Sequence, residues 1–370
     1  MPKTLKSLTA LRFFAAMWVA LYHVWPTLGV ARPLLVAKGY LAVDLFFTLS
    51  GFILCHVYLT PFGERRFSYR AFLWARLARI YPTHIVTLIG FGALVYLGTR
   101  IGVRNGGNVV IWASLPAQLT LTQAWGVAPQ AGWNHPAWSI SAEWFAYLCF
   151  PAFAAATWAA RARPRLAALT AALLAVGFEI GFQRLIGMPL TSATFLWGAA
   201  RILPPFAIGC GIYLLWSRHP LRRPPVAVAV VAASLAAALI CSAARAPDWA
   251  PIVVFGGVIY GLAGLASADA PGPDRVWMST FVYLGEASFA VYMISVPWDV
   301  AFDKGAHWLL HLQGEALPPA LWSIDYLGVV PAGLLLHHLI ERPAREMLRR
   351  YGPSLGRGRV LQEPWIAAAP

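Results

Sequence analysis

Ten runs of apolar residues divide this chain, at 8–28, 39–60, 83–103, 138–160, 166–183, 193–216, 225–243, 250–267, 276–298 and 321–340. Each is roughly 17–25 residues long, the length a helix needs to cross the hydrocarbon core of a bilayer. Inside lipid a segment must satisfy its own backbone hydrogen bonds, so each run reads as a helix. Composition agrees: 59% of the residues are hydrophobic and only 12% are charged. A soluble domain of this size could not bury that much apolar surface. The expected fold is all-α, a polytopic membrane protein with about ten transmembrane helices.

An even number of spans puts both termini on one face, and the basic residues say which. With the N-terminus cytoplasmic, cytoplasmic segments hold 20 Lys and Arg and the opposite segments hold 7, with Arg12 and Arg201 inside spans. That is the positive-inside pattern. The net charge of +14 is therefore a topological signal, not a nucleic-acid footprint, and no nucleic-acid partner is expected. Residues 109–125 are apolar but short and contain Pro116. Were they to span, the basic cluster at 161–165 would fall on the wrong face, so they are expected to form a re-entrant or interfacial helix. The long loop at 299–320 has room for a short helix. The domain reading is one membrane domain over 1–345 and a basic cytoplasmic tail over 346–370. The first span is too long for a signal-peptide core and is expected to stay uncleaved.

Ionisable residues inside the spans point to a site. Arg12 and His23 are eleven positions apart in the first span. At 100° per residue they leave the same helix face, about 16 Å apart along the axis. Such groups normally face the bundle interior. Asp44 and Glu143 lie at a depth similar to that of His23, each about five residues inside the opposite-face end of its span. A neutral imidazole beside a carboxylate is the usual form of a general base. No serine sits in a nucleophile-elbow sequence and no cysteine lies near, so direct transfer with His23 as base, assisted by Asp44 and Glu143, is favoured over a covalent intermediate.

Nearer the cytoplasmic face, Arg76 and Arg79 are three apart in YRAFLWARLARIYPTH, with Arg12 at a similar depth. Guanidinium forks match phosphate oxygens. Arg201 lies within a span, expected to pair with a buried acid such as Glu179 or to line the cavity. Cys55, Cys149, Cys210 and Cys241 fall in apolar segments without metal spacing, and no histidine pair has it either, so no metal site is expected. His56, His84, His337 and His338 read as lying near cytoplasmic span ends, and His135 as interfacial.

Taken in order, these motifs resemble the membrane-bound acyltransferase-3 family, bacterial enzymes that O-acylate sugars and some small molecules. Arg12 and His23 are similar to its arginine–ten residues–histidine motif. GYLAVDLFFTLSGF resembles its signature through Gly39, Asp44, Phe46, Phe47, Ser50 and Gly51, and Arg76 with Arg79 its paired-arginine motif. Trp138, Ser139 and Glu143 fit a further motif, as do Arg201, Phe206 and Gly209. YLGEASFAVYMISVP and HHLIERPAR resemble the closing motifs through Tyr283, Gly285, Ser288, Tyr292, Glu341 and Pro343. One departure is Ser295, where many members carry a histidine.

The resemblance implies an O-acyltransferase of the bacterial cytoplasmic membrane. Its donor would be cytoplasmic acyl-CoA, acetyl-CoA by default, held by Arg12, Arg76 and Arg79, with no tightly bound cofactor. Its acceptor would be a hydroxyl of a cell-surface polysaccharide or lipid-linked precursor, with Ser50, Trp138, Ser139 and Arg201 binding substrate or supporting the site. A small-molecule acceptor such as an antibiotic sugar is the alternative. From another class, a proton-coupled transporter would use the same intramembrane residue types, but the inverted repeats of such proteins are not found in the sequence. A structural subunit of a glycan-assembly complex would have no use for His23, Asp44 and Glu143.

Overall fold

The apolar runs are helical throughout. The computed structural model describes residues 5–103, 109–128, 130–268, 276–314 and 316–353, and no strand occurs among them. The long helices are α1 (Lys6–Val24), α2 (Ala42–Gly63), α3 (Tyr69–Arg100), α4 (Ala137–Ala159), α5 (Pro164–Ile186) and α6 (Leu203–Arg218). They continue with α7 (Pro224–Ala243), α8 (Trp249–Ala268), α9 (Val276–Leu310) and α10 (Pro319–Leu336). A π-helical turn, His337–Glu341, then leads into the short α11 (Arg342–Arg350). Among the described residues nine segments are long and apolar enough to cross a membrane. Helix α4 matches them at 23 residues, but Ser139, Ser141 and Glu143 in its first two turns lower its apolarity. With α4 the chain forms the ten-helix, all-α membrane protein that the sequence describes.

Two boundaries differ from expectation. Helix α3 begins at Tyr69 rather than at 83, capped by Ser68, whose hydroxyl accepts from the Ala71 amide at 3.4 Å. Arg70, Arg76 and Arg79 are therefore helical residues continuous with the span. His84 accordingly lies well inside α3, fully buried, and donates to the Gln118 carbonyl at 2.8 Å. Helix α9 runs unbroken to Leu310 instead of ending near 298. At the C-terminal end α11 continues through Arg350, and residues 354–370 of the expected tail lie outside the described residues. So do Lys3, Arg104, Arg275, Arg357 and Arg359 of the charge count.

Residues 109–125 do not span. They form two short helical turns, Trp112–Ser114 and Leu115–Leu119. Protein meets their polar groups: Ser114 donates to the Gln130 carbonyl, Gln123 to that of Ala137, and Ser141 accepts from the Ala124 amide. Such cover is what irregular backbone needs near or within a bilayer.

The tightest helix pairs are α1 with α9, α2 with α6, α7 with α8, α5 with α6 and α9 with α10. Glycine makes two of these crossings possible. A Cβ on Gly209 would overlap the Thr48 carbonyl, and one on Gly51 the Phe206 carbonyl, so α2 and α6 meet backbone to backbone. Gly285 likewise admits the Thr9 carbonyl between α9 and α1. Small residues permit such approach where helices have little hydrophobic drive to associate.

Candidate active site

The close packing of α1 on α9 and of α2 on α6 leaves a cavity between α1, α2, α3, α4 and α9. Its lining includes a cationic part, Arg12, Arg76 and Arg79, together with Ser50, Glu143 and Tyr147, and with Ser139, Ser288 and Tyr292 among phenylalanines. The long α3 explains the cationic part. Because the helix starts at Tyr69, Arg76 and Arg79 stand about two and about three turns inside it and line the cavity.

Each polar group has a definable state. Tyr147 and Ser50 both donate to Glu143 Oε1, at 2.5 and 3.1 Å. No hydrogen bond reaches Oε2 among the described residues. Tyr147 is one turn past Glu143 on α4, so the pair is a local (i, i+4) contact. The Ser139 and Tyr292 hydroxyls are 2.8 Å apart, and each is 3.0 Å from the Pro136 carbonyl. With one proton apiece, one hydroxyl donates to the carbonyl and the other to its neighbour. Arg76 is buried, donates to the Tyr58 hydroxyl at 3.5 Å, and lies over the rings of Tyr58 and Tyr147 at 5.8 and 5.9 Å. Arg12 shares its electrostatic surroundings with Arg79, Glu341 and Glu143. Among the described residues neither Arg12 nor Arg79 makes a hydrogen bond or a contact ion pair.

The other expected site residues divide between two places. Asp44 is fully buried and held by Arg201 through two bonds, Nε to Oδ1 at 3.0 Å and Nη2 to Oδ2 at 2.6 Å. The same guanidinium donates to the carbonyls of Ala193 and Tyr40, and lies 4.9 Å from the centre of the Trp138 ring. Asp44 is thus the acid that partners Arg201, and Glu179 is not: it accepts from the Leu190 amide at 2.9 Å. With both its oxygens on Arg201, Asp44 does not orient His23.

His23 sits near the end of α1, outside the residues that line the cavity. Its ring packs edge-on to His135 at 5.6 Å between centroids, and His135 packs against Phe195 at 5.5 Å. Among the described residues His23 has no hydrogen-bond partner, and the Nδ1 of His135 is buried without one. His135 immediately precedes Pro136, whose carbonyl receives the Ser139–Tyr292 pair, so the two imidazoles form the layer next to that part of the cavity. Burial pushes the His135 imidazole below the ordinary histidine range, leaving it neutral.

Sequence reasoning missed His135 as the neighbour of His23, Tyr58 beside Arg76, and Tyr147 on Glu143. Only Tyr147 had a sequence signal, its spacing of one helical turn. It also missed a clasp outside the cavity, where Asp248 binds Lys38 at 2.6 Å, Tyr40 at 2.5 Å and Thr191 at 2.8 Å. Burial raises the Asp248 pKa, and these three partners outweigh it, leaving the carboxyl below its usual range.

A helical membrane bundle around a cavity with a cationic part and a hydroxyl-lined interior defines a class of protein, and comparison with known sequences identifies it. Residues 5–337 match the acyltransferase-3 family model, described as an acyltransferase domain; the chain belongs to that family of acyltransferases. The acyltransferase MdmB of Streptomyces mycarofaciens is 30% identical over 383 aligned positions, covering 94% of each chain. A protein of Rhizobium radiobacter, protein 2 in the picA locus, is 39% identical over 87 positions, covering 24% of this chain and 44% of its own. No solved structure matches.

Proposed function

We propose that this protein moves an acyl group, acetyl by default, from cytoplasmic acyl-CoA to an acceptor hydroxyl reached from the opposite face of the cytoplasmic membrane. The observation that carries this reading is a cavity that gathers the three guanidiniums of Arg12, Arg76 and Arg79 with the Glu143 carboxyl and the Ser139–Tyr292 hydroxyl pair. The donor phosphates dock on Arg12, Arg76 and Arg79, because the guanidinium fork matches phosphate oxygens. The pantetheine arm then lies along the cavity past Glu143 and Ser139, and brings the thioester toward the histidine layer.

The acceptor oxygen attacks the thioester carbonyl while His23 takes its proton. The carbon–sulfur bond breaks, and the departing thiolate receives a proton to leave as free coenzyme A. A neutral His135 facing His23 is suited to accept a hydrogen bond from the imidazolium that forms. Glu143 holds a carboxylate midway, fixed by Ser50 and Tyr147, and balances the charge of Arg12. Alignment of the two reactants in a water-poor cavity supplies much of the rate. The acceptor class is a hydroxyl of a cell-surface glycan or its lipid-linked precursor.

Labelled acetyl-CoA supplied to inverted membrane vesicles tests the scheme. Coenzyme A release and label transfer are expected in the wild type and lost in His23→Ala. Equal transfer by the variant would remove His23 as base. Label in a small soluble product, with none in glycan or lipid, would replace the acceptor class.

A further inference from the structure

The carbonyl of Pro136, at the N-cap position of α4, is approached by more donors than it can serve. The Ser139 amide lies 3.2 Å from it, and the hydroxyls of Ser139 and Tyr292 each lie 3.0 Å from it. A carbonyl oxygen has two lone pairs. With the amide on one, a single acceptor site remains for two O–H groups. The second proton goes to the neighbouring hydroxyl, 2.8 Å away. That bond joins two neutral hydroxyls and satisfies nothing that the helix end requires. One O–H of the pair is therefore free to serve a third acceptor, and both residues line the cavity.

The pair is also held in place. Ser139 sits in the first turn of α4 and Tyr292 in the middle of α9, both buried. The two segments are fastened a second time where the buried Asn134 Nδ2 donates to the Met293 carbonyl at 3.0 Å. The Tyr292 ring packs against Phe46 at 6.3 Å between centroids. Fixed donors of this kind matter most where charge appears during a reaction. In acyl transfer it appears on the carbonyl oxygen of the acyl group. The acceptor oxygen adds to the acyl carbon, and the carbonyl π pair moves onto oxygen, giving a tetrahedral intermediate with an oxyanion. The pair returns as the carbon–sulfur bond breaks.

We infer that the Tyr292 hydroxyl, backed by Ser139, is the hydrogen-bond donor to that oxyanion; this rests on the acyl-CoA reading above. Ser139 retains the Pro136 carbonyl, within its own helical turn. Tyr292, reaching across from α9, turns its O–H from Ser139 to the substrate, and the number of hydrogen bonds does not change. A phenol is a stronger donor than an aliphatic alcohol, so the better donor is the one released. A neutral thioester oxygen is a weak acceptor and competes poorly with the Ser139 hydroxyl, whereas an oxyanion makes a charge-assisted bond. The contact thus strengthens as the transition state forms, which lowers the barrier without tightening substrate binding. Tyr292 keeps its proton throughout.

The test follows coenzyme A release at saturating acetyl-CoA in inverted vesicles of the native membrane, which supplies the acceptor. Tyr292→Phe is expected to lower kcat about 100- to 1,000-fold, the range for one oxyanion donor, with the KM for acetyl-CoA unchanged. Its unfolding temperature stays at the wild-type value, because Ser139 still serves the Pro136 carbonyl. Ser139→Ala costs only about tenfold in kcat, since the phenol remains. With 3-fluorotyrosine at position 292, the same shape with a more acidic phenol, kcat matches or exceeds that of wild type. The inference is overturned if Tyr292→Phe keeps its kcat, or if its kcat and unfolding temperature fall together. A fluorinated phenol slower than wild type, or an acyl ester formed on Tyr292, would overturn it too. Each of these results, with wild type active, leaves the acyl-CoA reading standing. Wild type that releases no coenzyme A would overturn that reading, and this inference with it.

Discussion

Two buried charge clusters in this bundle are built on opposite rules. Around Asp44 and Arg201 the charges are closed: both carboxylate oxygens and the guanidinium are committed to each other and to the carbonyls of Ala193 and Tyr40. Around Arg12, Arg79 and Glu143 they are open: among the described residues the two guanidiniums have no contact acid and one Glu143 oxygen has no hydrogen bond. A closed pair needs nothing further and serves to lock α2 to the Gly198–Arg201 turn. An open set is costly unless a ligand completes it. Both clusters read as functional motifs in the sequence, and the second lines the larger of the two cavities they border.

The comparison is broken most forcefully at the closed pair. Arg201→Ala leaves Asp44 buried and unpaired, an expected loss of about 3–5 kcal/mol, visible as a large drop in the unfolding temperature in detergent. An Arg201→Ala protein as stable as wild type would show that the pair does not hold the fold. At the open set the order reverses. Arg79→Gln is expected to leave the unfolding temperature unchanged and to weaken acyl-CoA binding about 10- to 100-fold, the range for one hydrogen bond to a charged group. Matching losses of stability and binding would make Arg79 structural.

A smaller effect belongs to Tyr147→Phe. Removing one of two donors to Glu143 Oε1 is expected to lower kcat about tenfold, with little change in KM if the contact matters only during transfer. The smallest concerns pH. His135 is held neutral by burial, below its unfolded value near 6.5. The unfolded chain therefore binds the proton more readily, and the stability this group preserves above about pH 6.5 is lost as pH falls. Between pH 7.5 and 5.5 the wild type is expected to lose up to about 1 kcal/mol more than His135→Asn. Equal losses would place the His135 ring in water.

Apolar length made the spans legible, and the same criterion failed where a helix lines the cavity. Arg70, Arg76 and Arg79 hid the first turns of α3, and Asp299, Asp303 and Lys304 hid the continuation of α9 beyond 298. A polar residue turned into a bundle and one in a loop look alike in a hydropathy window. Arg12, Arg76, Arg79, Ser50, Ser139 and Glu143 were legible as a set, and the structure brings all six to one cavity. Pairings were not legible. Asp44 and Arg201 are 157 positions apart, and nothing local favours Arg201 over His23 as the partner. The position of His135 against His23 likewise depends on how the 109–136 segment folds back.

The turn at His337–Glu341 is π-helical rather than α-helical. Such a turn holds one more residue than its α counterpart, and each residue advances a helix by about 100°. The bearing of everything after it is thus set by a single extra backbone unit. Were the turn to relax to α geometry, Arg345 and Arg349 would swing about a quarter of the way around the α11 axis. The five residues at the end of α10 act as a phase adjuster: they spend regular hydrogen bonding to aim two guanidiniums that lie beyond them in the chain.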